Sequence, residues 1–483
     1  MKGQETLTNR IAKGMVWRLL ERGGIQLIQF LVQLLLARVL SPSDYGILAI
    51  VNVFIAFSNT LINNGLGNAI IQRTDSEDAD YSTVFYVQIA IALICILVLI
   101  FGAPFIEHYY NVESLSLYVR AMSIILLLEA LSSMQLTALR KNMMFDKSFI
   151  TNVLSVFVQG VSGIGFALAG FGIWSLIISQ ILMKFTVLIS LLFFVRWKPK
   201  AVFSFNRLKK LFSYSWKLTV AWMIGTLHQQ LYSLVIGKFF STETLGFYNR
   251  GQSLPNTMTT TINETVSSVM FPALATIQGD LKQLKKYTRK MMALTAFVVA
   301  PIMAGIAGIS KNFVLLVLTE KWAPSILMMQ LFCIPFGINI LSTTNMQAFN
   351  AIGRSDVFLK LEVIKRTLSL ILLIISAHYS IYHVIIVLSL MGIFSLIYNT
   401  FPNQRILHYS IREQISDILP PIIIAIVMLK CVLMVNKLDL SYIVLLILQI
   451  VIGVIIYVTL SSVLNRRVLV EVIKVAQETV RRK

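Results

Sequence analysis

Apolar runs long enough to cross a bilayer recur along the chain. They lie at about 15–40, 45–70, 82–106, 117–138, 149–170, 172–195, 213–240, 245–275, 289–318, 324–350, 358–377, 380–402, 415–435 and 440–464. About 20 predominantly apolar residues span the hydrocarbon core as a helix, so the pattern predicts about fourteen transmembrane helices. The first run is also striped. Arg18, Arg22, Gln26, Gln29 and Gln33 fall within roughly 80° of one helix face, and Leu, Ile, Val and Phe fill most of the rest. An Arg near the bilayer centre costs about 2.5 to 3.5 kcal/mol even on the lenient insertion scale. The stripe is therefore expected to line a wet or protein-filled interior. The alternative reading seats both arginines at the headgroups, their stems along the hydrocarbon.

Composition agrees with the pattern. Of 483 residues 57% are hydrophobic and 13% charged, which excludes a soluble protein. The first ten residues are polar and the run after them is long enough to span, so no secretory signal is expected. The three cysteines all lie inside apolar runs, which argues against a disulfide framework or a metal site. A net charge of +20 would suggest nucleic acid in a soluble protein, but here it sorts by loop. Arg140 to Lys147, Arg196 to Lys210, Lys282 to Lys290, Arg354 to Arg366 and the tail from Arg466 are basic, and the intervening turns are short and nearly free of Lys and Arg. By the positive-inside rule both termini are cytoplasmic, and no nucleic-acid partner is expected.

The chain repeats itself. Trp17-Arg18-Leu19 recurs as Trp216-Lys217-Leu218, RVLSPSDYG from Arg38 as KFFSTETLG from Lys238, Gln29 as Gln229, Asn52 as Gln252 and Asn63 as Asn263. After one inserted residue the offset is constant. Six helices per copy make this a parallel repeat about an axis along the membrane normal. The expected fold is all-α, with an N-lobe at 1–203, a C-lobe at 204–404 and two unpartnered helices with a basic tail at 405–483. Ser41-Pro42-Ser43-Asp44-Tyr45-Gly46 reads as a tight turn in which Gly46 is free to take positive φ.

Polar faces recur in the same places of both copies. Asn52, Asn59 and Asn63 share one face of the second span, His228 lies with Lys217 and beside Gln229 on the seventh, and Asn249, Gln252, Asn256 and Asn263 line the eighth. Under the repeat these faces and the first-helix stripe are expected to surround one cavity between the halves, the alternative being helix–helix hydrogen bonding. Arg18, Arg22, Lys217 and Arg250 outnumber Glu21 and Glu264, so the cavity should prefer an anion. Guanidinium suits phosphate, and Asn and Gln suit the hydroxyls of sugars. No catalytic pair, zinc signature or phosphate-cradling loop occurs, and a transporter rather than an enzyme is expected. Glu129, Lys184 and Lys430 receive no role.

The segment Leu-Leu-Leu-Ala-Arg-Val-Leu-Ser-Pro-Ser-Asp-Tyr-Gly ending at Gly46 resembles the polysaccharide transporter family of the MOP exporter superfamily. So does Leu245-Gly246-Phe247-Tyr248-Asn249-Arg250, running on to Val269-Met270-Phe271-Pro272-Ala273-Leu274. The likeness is greatest to Wzx-type flippases of the colanic-acid and teichuronic-acid kind. It implies a MATE-like fold of six plus six helices with two added, and alternating access in a bacterial inner membrane. It also implies an undecaprenyl-diphosphate-linked oligosaccharide as substrate, for O-antigen, capsule or exopolysaccharide synthesis. Arg18 and Arg22 match by position the first-helix arginines with which related lipid II flippases hold pyrophosphate. Lys217 and Arg250 would share the diphosphate, while Gln26, Gln29, Gln33 and the Asn, Gln and His faces meet sugar. No cofactor is expected beyond a coupling Na+ or H+, for which Glu21 and Glu264 are the candidates. Membrane lipids, a polysaccharide polymerase and chain-length proteins are the expected partners of a monomer. The rival readings are a cation-coupled multidrug exporter, which calls for an anionic cavity, and a membrane-embedded polymerase or ligase, which calls for a large outside loop.

Overall fold

The computed structural model describes residues 28–63, 65–73, 75–195, 197–352 and 355–481. In chain order its helices are α1 Ile28–Val39, α2 Pro42–Asn63, α3 Leu66–Gln72, α4 Asp78–Tyr110, α5 Leu115–Lys141, α6 Phe145–Leu168, α7 Ile173–Phe194, α8 Phe205–Phe239 and α9 Thr242–Ala275. They continue with α10 Leu281–Phe313, α11 Pro324–Ala351, α12 Ser355–Ala377, α13 Ile381–Leu407, α14 Ile411–Met434, α15 Tyr442–Leu464 and α16 Arg466–Arg481. No strand occurs among the described residues. Ten of the described helical stretches are long and apolar enough to cross a membrane. The described part of α1, together with α8, α9 and α12, falls on the remaining predicted runs. Polar and charged residues along α8, α9 and α12 hide them from a hydropathy criterion. The chain is a multi-pass helical membrane protein, as the pattern predicts.

Two compact units divide within α9, Met1–Gly246 and Phe247–Lys483. In the first, α4 and α5 form one helical hairpin and α6 and α7 another, with α5 also lying against α2 and α7. The helix α8 runs along α2 and touches α3 and α4, so residues 205–239 lie in this unit although they begin the second copy of the sequence repeat. Leu66, Ile70, Val84, Phe85, Met134 and Leu211 close the core where α3, α4, α5 and α8 meet. The connections after α3, α5 and α7 gather on one face. Lys141 donates to the carbonyls of Ile70 (3.2 Å) and Arg73 (2.8 Å), Lys200 pairs with Asp78 (2.7 Å), and Arg207 pairs with Glu77 (2.7 Å) and Asp80 (3.2 Å). Hydrogen bonds to those two carboxylates raise the Arg207 guanidinium above its ordinary range.

Two expectations need correction here. The second predicted run is not one helix: Gly65 at φ +69° breaks it, and α3 continues beyond. Nor is Ser41 to Gly46 a turn with a left-handed glycine. Ser41 caps α2 by accepting from Asp44 N–H (3.2 Å) while the Asp44 carboxylate accepts from Ser41 N–H (2.9 Å), and Pro42 occupies the first helical position. Gly46 is helical, and its missing Cβ serves close approach. The second copy is built alike, with Ser241 accepting from Thr244 N–H (3.1 Å) at the start of α9.

In the second unit α10 is the hub, lying against α11, α14 and α15, while α13 lies between α11 and α12. Met270, Leu274, Leu284, Met292, Leu341 and Tyr409 form one core, and Phe297, Ile424, Met428, Val432 and Tyr457 another. The amphipathic α16 lays Val468, Leu469 and Val472 on the second core, and Lys290 reaches Glu471 (3.5 Å). Because lipid gives no hydrophobic drive between helices, polar contacts and close packing hold the bundle. Asn312 donates to Asn436 (2.8 Å) and Gln449 (2.9 Å), and Gln449 donates to the Gly308 and Val432 carbonyls, fastening α14 and α15 to α10. Nearer the basic face Arg289 grips Asp417 with two hydrogen bonds (2.8 and 2.9 Å) and reaches Glu413 (2.9 Å).

Candidate functional site

In the first unit α2 and α8 lie side by side. The helices run antiparallel, with Gly237 beside Ile50, Gly65 beside Ser215, and Thr60 and Thr226 in a 3.0 Å hydroxyl contact between them. Of the residues expected to line a path, Asn52 and Asn59 are half-buried on α2 and Asn63 is exposed, its amide donating to the Asn59 carbonyl (3.1 Å). The buried Asn59 Oδ1 finds no protein donor, an acceptor suited to a water or a ligand hydroxyl. On α8 Lys217 and Gln229 are exposed, and the half-buried His228 sets its ring edge-to-face with Tyr232. Gln29 is half-buried and Gln33 exposed on α1, which lies against α6 through Val32 at Gly160 and Leu36 at Gly163. Arg18, Glu21, Arg22 and Gln26 lie outside the described residues.

In the second unit the polar face of α9 lies largely on α11. Asn263 accepts from Thr343 (2.6 Å) and donates to Asn339 (3.4 Å), and Gln347 donates to Ser267 (2.8 Å). Gln252 donates to Asn249 (2.8 Å), while Asn256 and Glu264 are exposed. Arg250 is only 7% exposed, and its guanidinium sits 5.7 Å from the ring of the fully buried Trp322. It is thus part of a packed interior rather than an open anion-binding wall. Sequence reasoning passed over Asn339, Thr343 and Gln347, although their spacing of four puts them on one helix face. It also passed over the buried amides Asn345, Asn399, Asn403 and Gln414, where Asn345 donates to Gln414 (3.0 Å) and Asn399 to Ser342 (2.8 Å).

Amides and hydroxyls alternate along α2, α8 and α9, and Lys217 supplies an exposed cation. Among the described residues no group of three His, Cys, Asp or Glu could hold a metal ion. Two charges deeper in the first unit, Glu129 on α5 and Lys184 on α7, are paired with each other.

A family model described as polysaccharide biosynthesis protein matches residues 35–327. The teichuronic acid biosynthesis protein TuaB of Bacillus subtilis is 24% identical over 356 residues, 73% of each chain. The lipopolysaccharide biosynthesis protein WzxC of Escherichia coli is 24% identical over 348 residues, 71% of this chain and 69% of that one. Among solved structures, the lipid II flippase MurJ in an inward closed conformation superposes with a TM-score of 0.73 at 15% identity, over 94% of this chain and 99% of that one. An inward-facing MATE family multidrug transporter of the MOP superfamily gives 0.61 at 13% identity, over 79% and 96%. These two likenesses establish the fold.

Proposed function

The chain belongs to the polysaccharide biosynthesis protein family, and on that premise we propose that it flips lipid-diphosphate-linked oligosaccharide units across a bacterial cytoplasmic membrane by alternating access. It is a transporter and not an enzyme. The observation that carries the reading is the Asn52, Asn59 and Asn63 face of α2, where the buried Asn59 Oδ1 finds no protein donor, together with the exposed Lys217 on the neighbouring α8. Amides and hydroxyls there offer hydrogen bonds to a glycan, and the tail of the substrate stays in the bilayer. Arg18, Arg22 and Lys217 are the residues we assign to the diphosphate, since guanidinium and ammonium stabilise phosphate oxygens by charge-assisted hydrogen bonds. Arg250 is left out of that set because Trp322 covers it. Both termini are placed in the cytoplasm. The gathering of Lys141, Lys200 and Arg207 on one face of the first unit, and of Arg289 and Lys290 with α16 in the second, supports this by the positive-inside rule.

The test is complementation of a flippase-deficient strain and translocation of a lipid-diphosphate-linked sugar in proteoliposomes. Arg22→Ala, inserted at normal levels, is expected to lose both. Full activity of that variant overturns the assignment of the diphosphate site.

A further inference from the structure

Glu129 and Lys184 form an ion pair in the middle of the first unit. Glu129 stands fourteen residues after Leu115 and twelve before Lys141, and Lys184 eleven after Ile173 and ten before Phe194. At 1.5 Å per residue each charge lies about 15 to 21 Å from either end of its helix. The helices against α5 and α7 are α2, α3, α4 and α6. Of these, α2 carries only Asp44, at its start, and α3 no charge. The charges of α4 are Asp78, Asp80, Glu107 and His108 near its ends, with the titratable Tyr81, Tyr86 and Cys95 between them, and those of α6 are Asp146 and Lys147 in its first turn. The remaining charges of α5 are Arg120, Arg140 and Lys141, and α7 has none besides Lys184. Among the described charges of α2 to α7, this pair alone lies far from the helix ends.

Stability does not account for it. Replacing a buried ion pair by apolar residues of similar volume is commonly neutral or stabilising, and ionisable side chains inside a membrane mark ion pathways and proton relays. The pair is not sealed either, with Glu129 and Lys184 side chains 16% and 30% exposed. A carboxylate held by an ammonium on the next helix has the make-up of a cation site occupied by a tethered substitute. Resting on the flippase reading, we propose that Glu129 binds the coupling cation, a proton or Na+, and that Lys184 is its built-in competitor. When a proton arrives, an O–H bond forms on Glu129, the ion pair breaks, and Lys184 keeps its own proton and charge. When Na+ arrives, it replaces the ammonium on the carboxylate. Either way the site gains one positive charge, and the released ammonium favours an anionic substrate, which links cation uptake to the diphosphate.

Proteoliposomes with an imposed pH gradient in Na+-free buffer, and with a Na+ gradient at uniform pH, separate the two cations. Wild type is expected to accelerate about tenfold under one of them. Glu129→Gln loses that acceleration and keeps the slow equilibrating exchange, and Lys184→Met responds at lower cation concentration. A gradient response in Glu129→Gln overturns the proposal in favour of a purely structural pair. Cation binding is also read without substrate, as a rise in thermal midpoint with Na+ or on mild acidification that Glu129→Gln lacks. Absence of any exchange in wild type counts against the flippase reading, and this second measurement still decides the cation site.

Discussion

Gly46 lies so near Thr242 that a Cβ on it would stand 1.7 Å from the Thr242 carbonyl oxygen. The relationship is reciprocal, since a Cβ on Gly246 would stand 2.0 Å from the Pro42 carbonyl oxygen, and the Ser43 and Thr242 hydroxyls meet at 2.7 Å. The two copies of the repeated motif are thus in backbone contact where α2 and α9 begin. Gly46→Ala and Gly246→Ala must each push the helix starts apart, at an expected cost of about 1 to 3 kcal/mol. Thermal unfolding in detergent reads this. Gly102→Ala, at a position where a Cβ meets nothing within 4 Å, serves as the control and should not destabilise.

Arg289→Met leaves the carboxylates of Asp417 and Glu413 without the guanidinium that joins α10 to α14. Hydrogen bonds to charged groups contribute about 1.5 to 3 kcal/mol each in protected settings. Arg289 is about one-third exposed (35%), so a total loss near the lower figure is expected. Asp417→Asn should cost less, because Tyr409 and Arg289 still find an acceptor there.

Gln449→Leu removes the side chain that ties α15 to α10 and α14, and leaves Asn312 and Asn436 their bond to each other. Interhelical hydrogen bonds in membranes average about 0.6 kcal/mol and reach about 1.7, and a residue with several partners belongs at the upper end. The expected signature is earlier proteolysis after α13 with α10 to α13 still protected.

Asp280 caps α10 by accepting from the backbone N–H of Lys282 (2.9 Å) and Gln283 (3.0 Å). The Gln283 backbone bond above all holds its carboxyl below the ordinary range. A depressed carboxyl stabilises the fold above its unfolded pKa, about 3.9, and that stabilisation is lost as pH falls through the folded value. Asp280→Ala should therefore lower the thermal midpoint at neutral pH, and the gap to wild type should close below about pH 4.

Helix positions were legible because lipid imposes long apolar runs, and the repeat was legible because Ser, Gly, Asn and basic residues recur at fixed spacing. Sequence alone did not say how the polar residues divide between a ligand path and helix contacts. Asn263 and Arg250 both read as polar positions of one span, yet the first bonds Thr343 and the second is buried beside Trp322. Gly46 was misread for a related reason, since a glycine that allows a turn and one that admits a carbonyl leave the same letter. Glu129 and Lys184 were each visible, but only tertiary packing makes them a pair.

The junction of α2 and α9 also brings two helix N-termini together, each equivalent to roughly half a positive charge. Like poles are pressed into contact, so the dipoles oppose the fit that the glycines allow. Asp44 and Glu243, one in each first turn, act as the internal counterions of this contact. The tightest backbone approach described between the two motif copies is therefore also one whose strength responds to salt and to the charge of two side chains.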